Sequence, residues 1–280
     1  MTYWQTSRRK LSLDQPLVMA ILNITPDSFS DGGKFLSVDD ALKHAEKLIG
    51  DGADIIDIGG ESTRPGATQV LAADEISRVI PVIEAIAKRF DTPLSVDTSK
   101  SEVAEKAINA GAEIINDISG LRFDERIAEI ATRTNAGLVL MHSRGSFETM
   151  HKQPPVDDIV AEVTASLRRA VRIANELGVA DEQIALDAGI GFSKMQEQNL
   201  ELLAKLDKII SEFVNYPMLV GTSRKSFLAK IIGNVPTAER VGGSLATALI
   251  AMNKGAKIIR VHDIKETVAA VKVFAKIASV

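Results

Sequence analysis

Short apolar runs recur along this chain, and nearly every one stops at a polar residue. Residues 17–22 run into Asn23, 54–58 into Gly59-Gly60-Glu61, 94–96 into Asp97 and 113–115 into Asn116. Residues 138–141 stop at His142, 184–186 at Asp187, 219–220 at Gly221 with Lys225 beyond, and 258–259 at Arg260 and then His262. Runs this short and this aliphatic are what buried parallel strands look like. Each is followed by a longer stretch with helical spacing, approximately 39–51, 73–89, 101–109, 124–134, 157–177, 197–212, 237–253 and 264–278. Eight such units predict a single (β/α)₈ TIM barrel, an α/β fold in which the C-terminal strand ends converge on one mouth.

At 280 residues, the chain suits one barrel of about 250 residues plus a short addition. We read 1–16 as an N-terminal extension, a candidate hairpin closing the barrel bottom, and 17–280 as the barrel. Asp39, Asp124, Asp157 and Asp263 stand where helix N-caps are expected. Gly52, Gly111, Gly137, Gly178 and Gly255 stand where left-handed C-terminal caps are expected. Loops 24–35, 59–68 and 142–156 are long and polar; the first two, rich in Gly, Pro, Ser and Thr, read as mobile segments over the mouth.

A net charge of −4 disfavours a nucleic-acid partner, which wants a basic face. No apolar run approaches the roughly 20 residues of a spanning helix, so no membrane partner is expected. Cysteine is absent, which removes disulfides and thiolate metal sites and fits a cytoplasmic location.

Asp97, Asn116 and Asp187 close three strands, so the mouth offers acceptors to a flat ligand rich in N–H groups; a carboxylate matches a guanidine-like edge. Any one of them alone is as well explained by helix capping. Gly221-Thr222-Ser223-Arg224-Lys225-Ser226 opens a helix after the seventh barrel strand, where backbone N–H groups favour an anion. Arg260 and His262 share one side of the last strand by alternation and add two cations to that corner. Asn23 could ligate Mg²⁺, which takes few protein oxygens. His142 and His151 have no metal-ligand spacing and stay unassigned, and no GxSxG elbow, P-loop or dinucleotide fingerprint is present.

Taken in order, residues 23–33 (NITPDSFSDGG), 57–66 (DIGGESTRPG), Ser95-Val96-Asp97-Thr98, Ile115-Asn116-Asp117, 221–226 and Arg260-Val261-His262-Asp263 resemble the dihydropteroate synthases over essentially the whole chain. The pattern departs at two places, Ala188 and Ser193 after Asp187, and Ser143-Arg144-Gly145 after His142. The resemblance implies a transferase of folate biosynthesis. Such an enzyme condenses 6-hydroxymethyl-7,8-dihydropterin diphosphate with para-aminobenzoate, releases pyrophosphate by a dissociative displacement and is inhibited by sulfonamides. It implies Asp27, Arg64, Asp97 and Lys225 as catalytic residues. Asp97, Asn116, Met141, Asp187, Gly221 and Lys225 would bind the pterin. Asn23, Thr63, Arg64, Arg260 and His262 would bind the diphosphate, with Mg²⁺ on Asn23. Phe29, Thr63, Pro65, Phe192, Lys225 and Ser226 would line the para-aminobenzoate side. It also implies a homodimer; the small residues Gly242-Gly243-Ser244 and Ala246-Thr247-Ala248 suit either a dimer contact or the barrel wall. Rival readings are a pterin-binding methyltransferase domain, an aldolase-type lyase using Lys225 as a Schiff base, and a non-catalytic pterin-binding relative.

Overall fold

Inward-facing positions of the strands change character from bottom to top, and that change positions everything else. The computed structural model describes residues 2–25, 37–64 and 66–278. Eight parallel strands close into a barrel: β3 (Leu17–Asn23), β4 (Ile55–Gly59), β5 (Leu94–Asp97), β6 (Ile114–Asp117), β7 (Gly137–Met141), β8 (Ile184–Asp187), β9 (Met218–Val220) and β10 (Ile258–Val261), with β10 pairing back onto β3. Strand side chains alternate, so every second residue points inward. The lower inward layer is Met19, Ile55, Ile114, Val139, Ala185, Leu219 and Ile258, one apolar cluster. Two residues up each strand the same face carries Asp57, Asn116, Met141, Asp187 and Arg260, with Asn23, Gly59 and Asp97 at the rim. The opposite face, including Ala20, Ile58, Val96, Ile115, Leu140, Leu186, Val220 and Ile259, packs in a separate cluster with the helices.

The helices form the outer ring: α1 (Val38–Gly50), α2 (Ala72–Arg89), α3 (Ser101–Ala110), α4 (Arg126–Thr134), α5 (Ile159–Glu176), α6 (Gln196–Ala204), α7 (Leu206–Glu212), α8 (Ser226–Ile232), α9 (Val241–Asn253) and α10 (Ile264–Ala278). In α1, Ala41, Ala45 and Leu48 lie on one buried stripe. Several local expectations are corrected. Ser37, not Asp39, caps α1, accepting from Asp40 N at 3.1 Å. Asp158, not Asp157, caps α5, and the expected helix over 197–212 breaks at Lys205. Residues 237–240 form a 3₁₀ turn ahead of α9, and the helix expected to open at 221–226 is the short α8. Asn135 takes the left-handed cap of α4. Gly137 serves a different need: a Cβ there would meet Gln5 O at 3.2 Å and the Trp4 ring at 3.3 Å.

That close approach comes from an antiparallel hairpin, β1 (Tyr3–Gln5) with β2 (Lys10–Ser12). Trp4 is fully buried in the lower barrel cluster, and its indole N–H donates to Gln183 O at 2.8 Å. Fully buried Glu113, just before β6, accepts from Thr6 Oγ1 at 2.6 Å and from Arg9 Nη2 at 2.7 Å. Among the described residues no helix is long and apolar enough to cross a membrane.

Truncating Trp4 to Ala removes a large packed ring and leaves the Gln183 carbonyl unpaired. Equilibrium denaturation of Trp4→Ala should show a loss of about 3–5 kcal/mol, with mouth chemistry preserved in whatever fraction stays folded. A loss below about 1 kcal/mol would mean that the hairpin does not plug the barrel.

Candidate active site

Arg260 organises the upper layer. From β10 it reaches over β3 to donate from Nε to Asp57 Oδ2 at 2.6 Å and from Nη2 to Asp97 Oδ2 at 2.7 Å. Asn116 Nδ2 donates to the same Asp57 oxygen at 3.0 Å, which orients its Oδ1 as an acceptor. Burial lowers the tendency of Arg260 to hold its proton, but Asp57 and Asp97 outweigh it and the net shift is upward. Burial raises Asp97 to about 7; Arg260 opposes the rise, while Asp57, Glu75 and Glu61 add to it. Asp57 Oδ1 is buried without a hydrogen-bond partner.

Asp187 Oδ1 accepts from Gly189 N at 2.7 Å, which leaves its second oxygen for a ligand. Burial raises its pKa against the pull of Lys225. Gly189 has φ +65°, and a Cβ on it would fall 1.9 Å from His142 O, so no side chain fits. Gly191, at φ +89°, lets the Lys225 stem pass; a Cβ there would sit 2.6 Å from Lys225 Cδ. Lys225 donates to Ile190 O and lies 4.7 Å above the Phe192 ring. Burial lowers the Lys225 pKa to about 8, with Asp187 resisting. The site thus brings together Asp97, Asn116, Asp187 and Lys225 as the sequence suggested, beside Met141, which packs with Ile118, Phe147 and Met150.

The anion corner differs from expectation. Arg260 is engaged by two carboxylates rather than standing free. His262 lies 3.1 Å from Ser223 Oγ through Nδ1, and burial, then the charges of Arg260 and Arg224, push its pKa down to about 3. It is therefore a neutral imidazole and not a second cation. Arg224 is drawn away to Asp263, with Nε 3.1 Å from Oδ2. Ser226 is exposed at the start of α8, and Arg64 is exposed on the 59–68 loop. A Cβ on Gly59 would lie 3.5 Å from Asn23 Oδ1 and 3.6 Å from Asp97 Cβ, so these two rim residues flank one spot. Asp27, Phe29 and Pro65 lie outside the described residues.

Four residues had no assigned role in the sequence alone. Asp57 sits one place inside an apolar run, and only its inward parity marks it. Lys194 Nζ donates to Gly189 O at 2.7 Å and Phe192 O at 2.8 Å and lies 2.8 Å from His142 Nδ1, fixing the β8–α6 loop. His151 stacks on Phe192 with centroids 5.9 Å apart and donates from Nε2 to Thr63 O at 2.7 Å. It thereby joins Thr63, Phe192 and Lys225 in one wall. Glu61 anchors the base of the 59–68 loop: Lys100 Nζ bridges it at 2.9 Å to buried Glu75 at 2.6 Å. Among the described residues, no group of three or more His, Cys, Asp or Glu is placed to hold a metal.

Residues 19–262 match the family model described as "Pterin binding enzyme". The dihydropteroate synthase of Escherichia coli K12 is 49% identical over 263 residues, covering 94% of this chain and 92% of the relative. The crystal structure of Yersinia pestis dihydropteroate synthase in complex with a sulfonamide drug superposes with a TM-score of 0.93 at 44% identity, covering 99% of this chain and all of that one. The Xanthomonas albilineans dihydropteroate synthase with 4-aminobenzoic acid superposes at 0.92 and 41% identity over the full length of both chains. An acceptor-lined TIM-barrel mouth and this degree of likeness lead to one conclusion: the chain belongs to the dihydropteroate synthase family of pterin-binding enzymes.

Proposed function

We propose that this chain joins 6-hydroxymethyl-7,8-dihydropterin diphosphate to para-aminobenzoate, giving 7,8-dihydropteroate and pyrophosphate. The observation that carries the reading is the upper barrel layer. Asp97 and Asp187 each have one oxygen held by the protein and one left over, and Asn116 presents its amide oxygen beside them. That set matches the guanidine-like 2-amino/N3 edge and the ring N–H groups of a reduced pterin. Asp187 takes the amino edge, Asp97 and Asn116 take the rest, and Met141 and Gly221 lie against the ring. Lys225, with its pKa near 8, donates to the pterin carbonyl region.

In a dissociative displacement the C–O bond to the diphosphate breaks first, and both electrons leave with pyrophosphate. The aniline nitrogen then attacks the pterin cation and loses a proton. Asp97 and Asp187 supply negative potential for that cation. Arg64, Thr63 and His262 hold the departing diphosphate, and Arg260 adds positive charge from inside the barrel. Asn23 would hold a bound Mg²⁺ through its one amide oxygen, since such an ion keeps most of its waters, and the chemistry it would supply there is neutralisation of the leaving group's charge. Phe192, Thr63, Lys225 and Ser226 form the para-aminobenzoate wall, the side to which the family resemblance also assigns Phe29 and Pro65. The same wall is where a sulfonamide would compete. Arg64 belongs to a loop that would exclude water on closing, a role the family resemblance also gives Asp27. Zero cysteines fit the cytoplasm, where this reading places the enzyme. Ser244 and Thr247 are buried against their own barrel. Exposed Ile231, Ile250, Val273 and Ile277 on α8, α9 and α10 therefore support a face covered by a second copy.

Pyrophosphate release is expected only with both substrates present and is expected to disappear in EDTA. Undiminished release in EDTA sinks the Mg²⁺ role, and no release under any condition sinks the reaction. Asp187→Asn presents a donor to an N–H edge. Its calorimetric pterin affinity should fall by about 2–3 kcal/mol, roughly 30–150-fold, with the circular dichroism unchanged. A change under threefold removes Asp187 from the pterin site. Sedimentation velocity should give a dimer that Ile250→Lys dissociates; a monomeric parent refutes the face.

A further inference from the structure

A second cationic recess lies on the outer side of the barrel rim, against α5. It is an open cleft of about 500 Å³ between α5 and the loops following β6 and β7. Arg122, Ser143, Arg144, Glu162, Ser166 and Arg169 line it. On α5, Glu162, Ser166 and Arg169 fall on one stripe. Three guanidinium groups against one carboxylate leave the lining with an excess of two positive charges, in a chain whose net charge is −4.

Two of these guanidiniums are held by backbone rather than by acids. Arg122 donates from Nη1 to Ser143 O at 2.7 Å and from Nη2 to Gly145 O. Arg144 donates from Nη2 to Ser193 O, and its backbone N–H donates to Ser193 Oγ at 3.2 Å. These bonds fix position without neutralising charge. Arg144 Nε and Arg169 Nη2 are shut off from water and have no hydrogen-bond partner. Burial, followed by repulsion from Arg169, depresses the Arg122 pKa. His142 is fully buried beneath this loop, and its unpartnered Nε2 stands 3.8 Å from Glu162 Oε1. Charge repulsion and preset geometry together describe a site built for an anion.

We infer that this cleft binds a small phosphate-type oxyanion, as inorganic phosphate or as diphosphate. A carboxylate offers two coplanar oxygens and satisfies one arginine fork. A tetrahedral phosphoryl group offers oxygens in several directions and can accept from the remaining N–H groups of three guanidiniums arriving from different elements. A dianion also matches the excess charge. The site does not depend on the reaction assigned above, because none of its residues is among those given to the pterin, the diphosphate or para-aminobenzoate. Two of them, Ser143 and Arg144, lie where the chain departs from the family pattern. Occupancy would tie α5 to the loop that follows Met141, and so bear on the strand end flanking the pterin position.

The test is calorimetric titration of the full-length protein with inorganic phosphate, pyrophosphate and succinate. Parent, Arg169→Ala, Arg169→Glu and Arg64→Ala are compared, the last removing an exposed cation of the mouth. Arg169 is half-exposed on a long helix, so both of its variants should fold. In Arg64→Ala, phosphate or pyrophosphate should still bind, and the tighter of the two identifies the ligand. In Arg169→Ala that binding should weaken at least tenfold and in Arg169→Glu it should vanish, while condensation activity at saturating substrates stays within twofold of the parent. Binding equal in parent and Arg169→Glu, binding lost in Arg64→Ala alone, succinate binding as tightly as phosphate, or no anion binding to the parent would each overturn the assignment.

Discussion

Placing Asp57, Asp97 and Asp187 inside one barrel is possible only because Arg260 is threaded between two of them. A buried carboxylate without compensation gives up its charge or destabilises the fold. Arg260 satisfies one oxygen each on Asp57 and Asp97, and Asn116 completes Asp57. Lys225 supplies the positive neighbour of Asp187. The mouth is thus a lattice of paired charges with selected oxygens left over, and those oxygens define what it recognises. Removing Arg260 would do more than delete a cation; it would leave two acids on neighbouring strands without the cation they share. The exposed cation at this edge of the mouth is then Arg64, on a loop, rather than Arg260.

The barrel was legible because its strands are short, aliphatic and each ended by a polar residue, and because parity carries those residues inward. Asp97, Asn116, Asp187 and Lys225 converge for that reason. What stayed hidden depends on distance through space. Nothing local says that Arg260 spends its donors on Asp57 and Asp97, or that burial keeps His262 neutral. Asp57 was masked by the apolar run around it, although counting by twos from Gly59 reaches it. His151 joins Thr63 only through a loop whose path has no periodicity. Gly137 looked like a helix cap because it follows a helix; the Trp4 ring beneath it is the real constraint.

The two departures from the family pattern meet in space. Ser193 occupies a left-handed conformation at φ +55°, which is unfavourable for a residue with a Cβ, by about 1 kcal/mol or more. Its hydroxyl accepts from Arg144 N and its carbonyl from the Arg144 guanidinium. Each change makes sense beside the other. Together they clasp the loops after β7 and β8, next to Lys194 and His142, which brace the same region from below.

The bottom plug has a further consequence, for the order in which the chain acquires its structure. Leu17 N donates to Lys257 O at 2.8 Å, Lys257 Nζ to Leu13 O at 3.1 Å, and Trp4 to Gln183 O. The hairpin and its neighbours therefore close on partners roughly 180 to 240 positions later. At ribosomal speeds of about 5–20 residues per second, the hairpin waits on the order of ten seconds or more for the last strand. Until then Met19, Ile55 and Trp4 have no lid and no seam. The growing polypeptide carries an open, edge-bearing half-barrel, and its exposure to aggregation ends only when β10 docks.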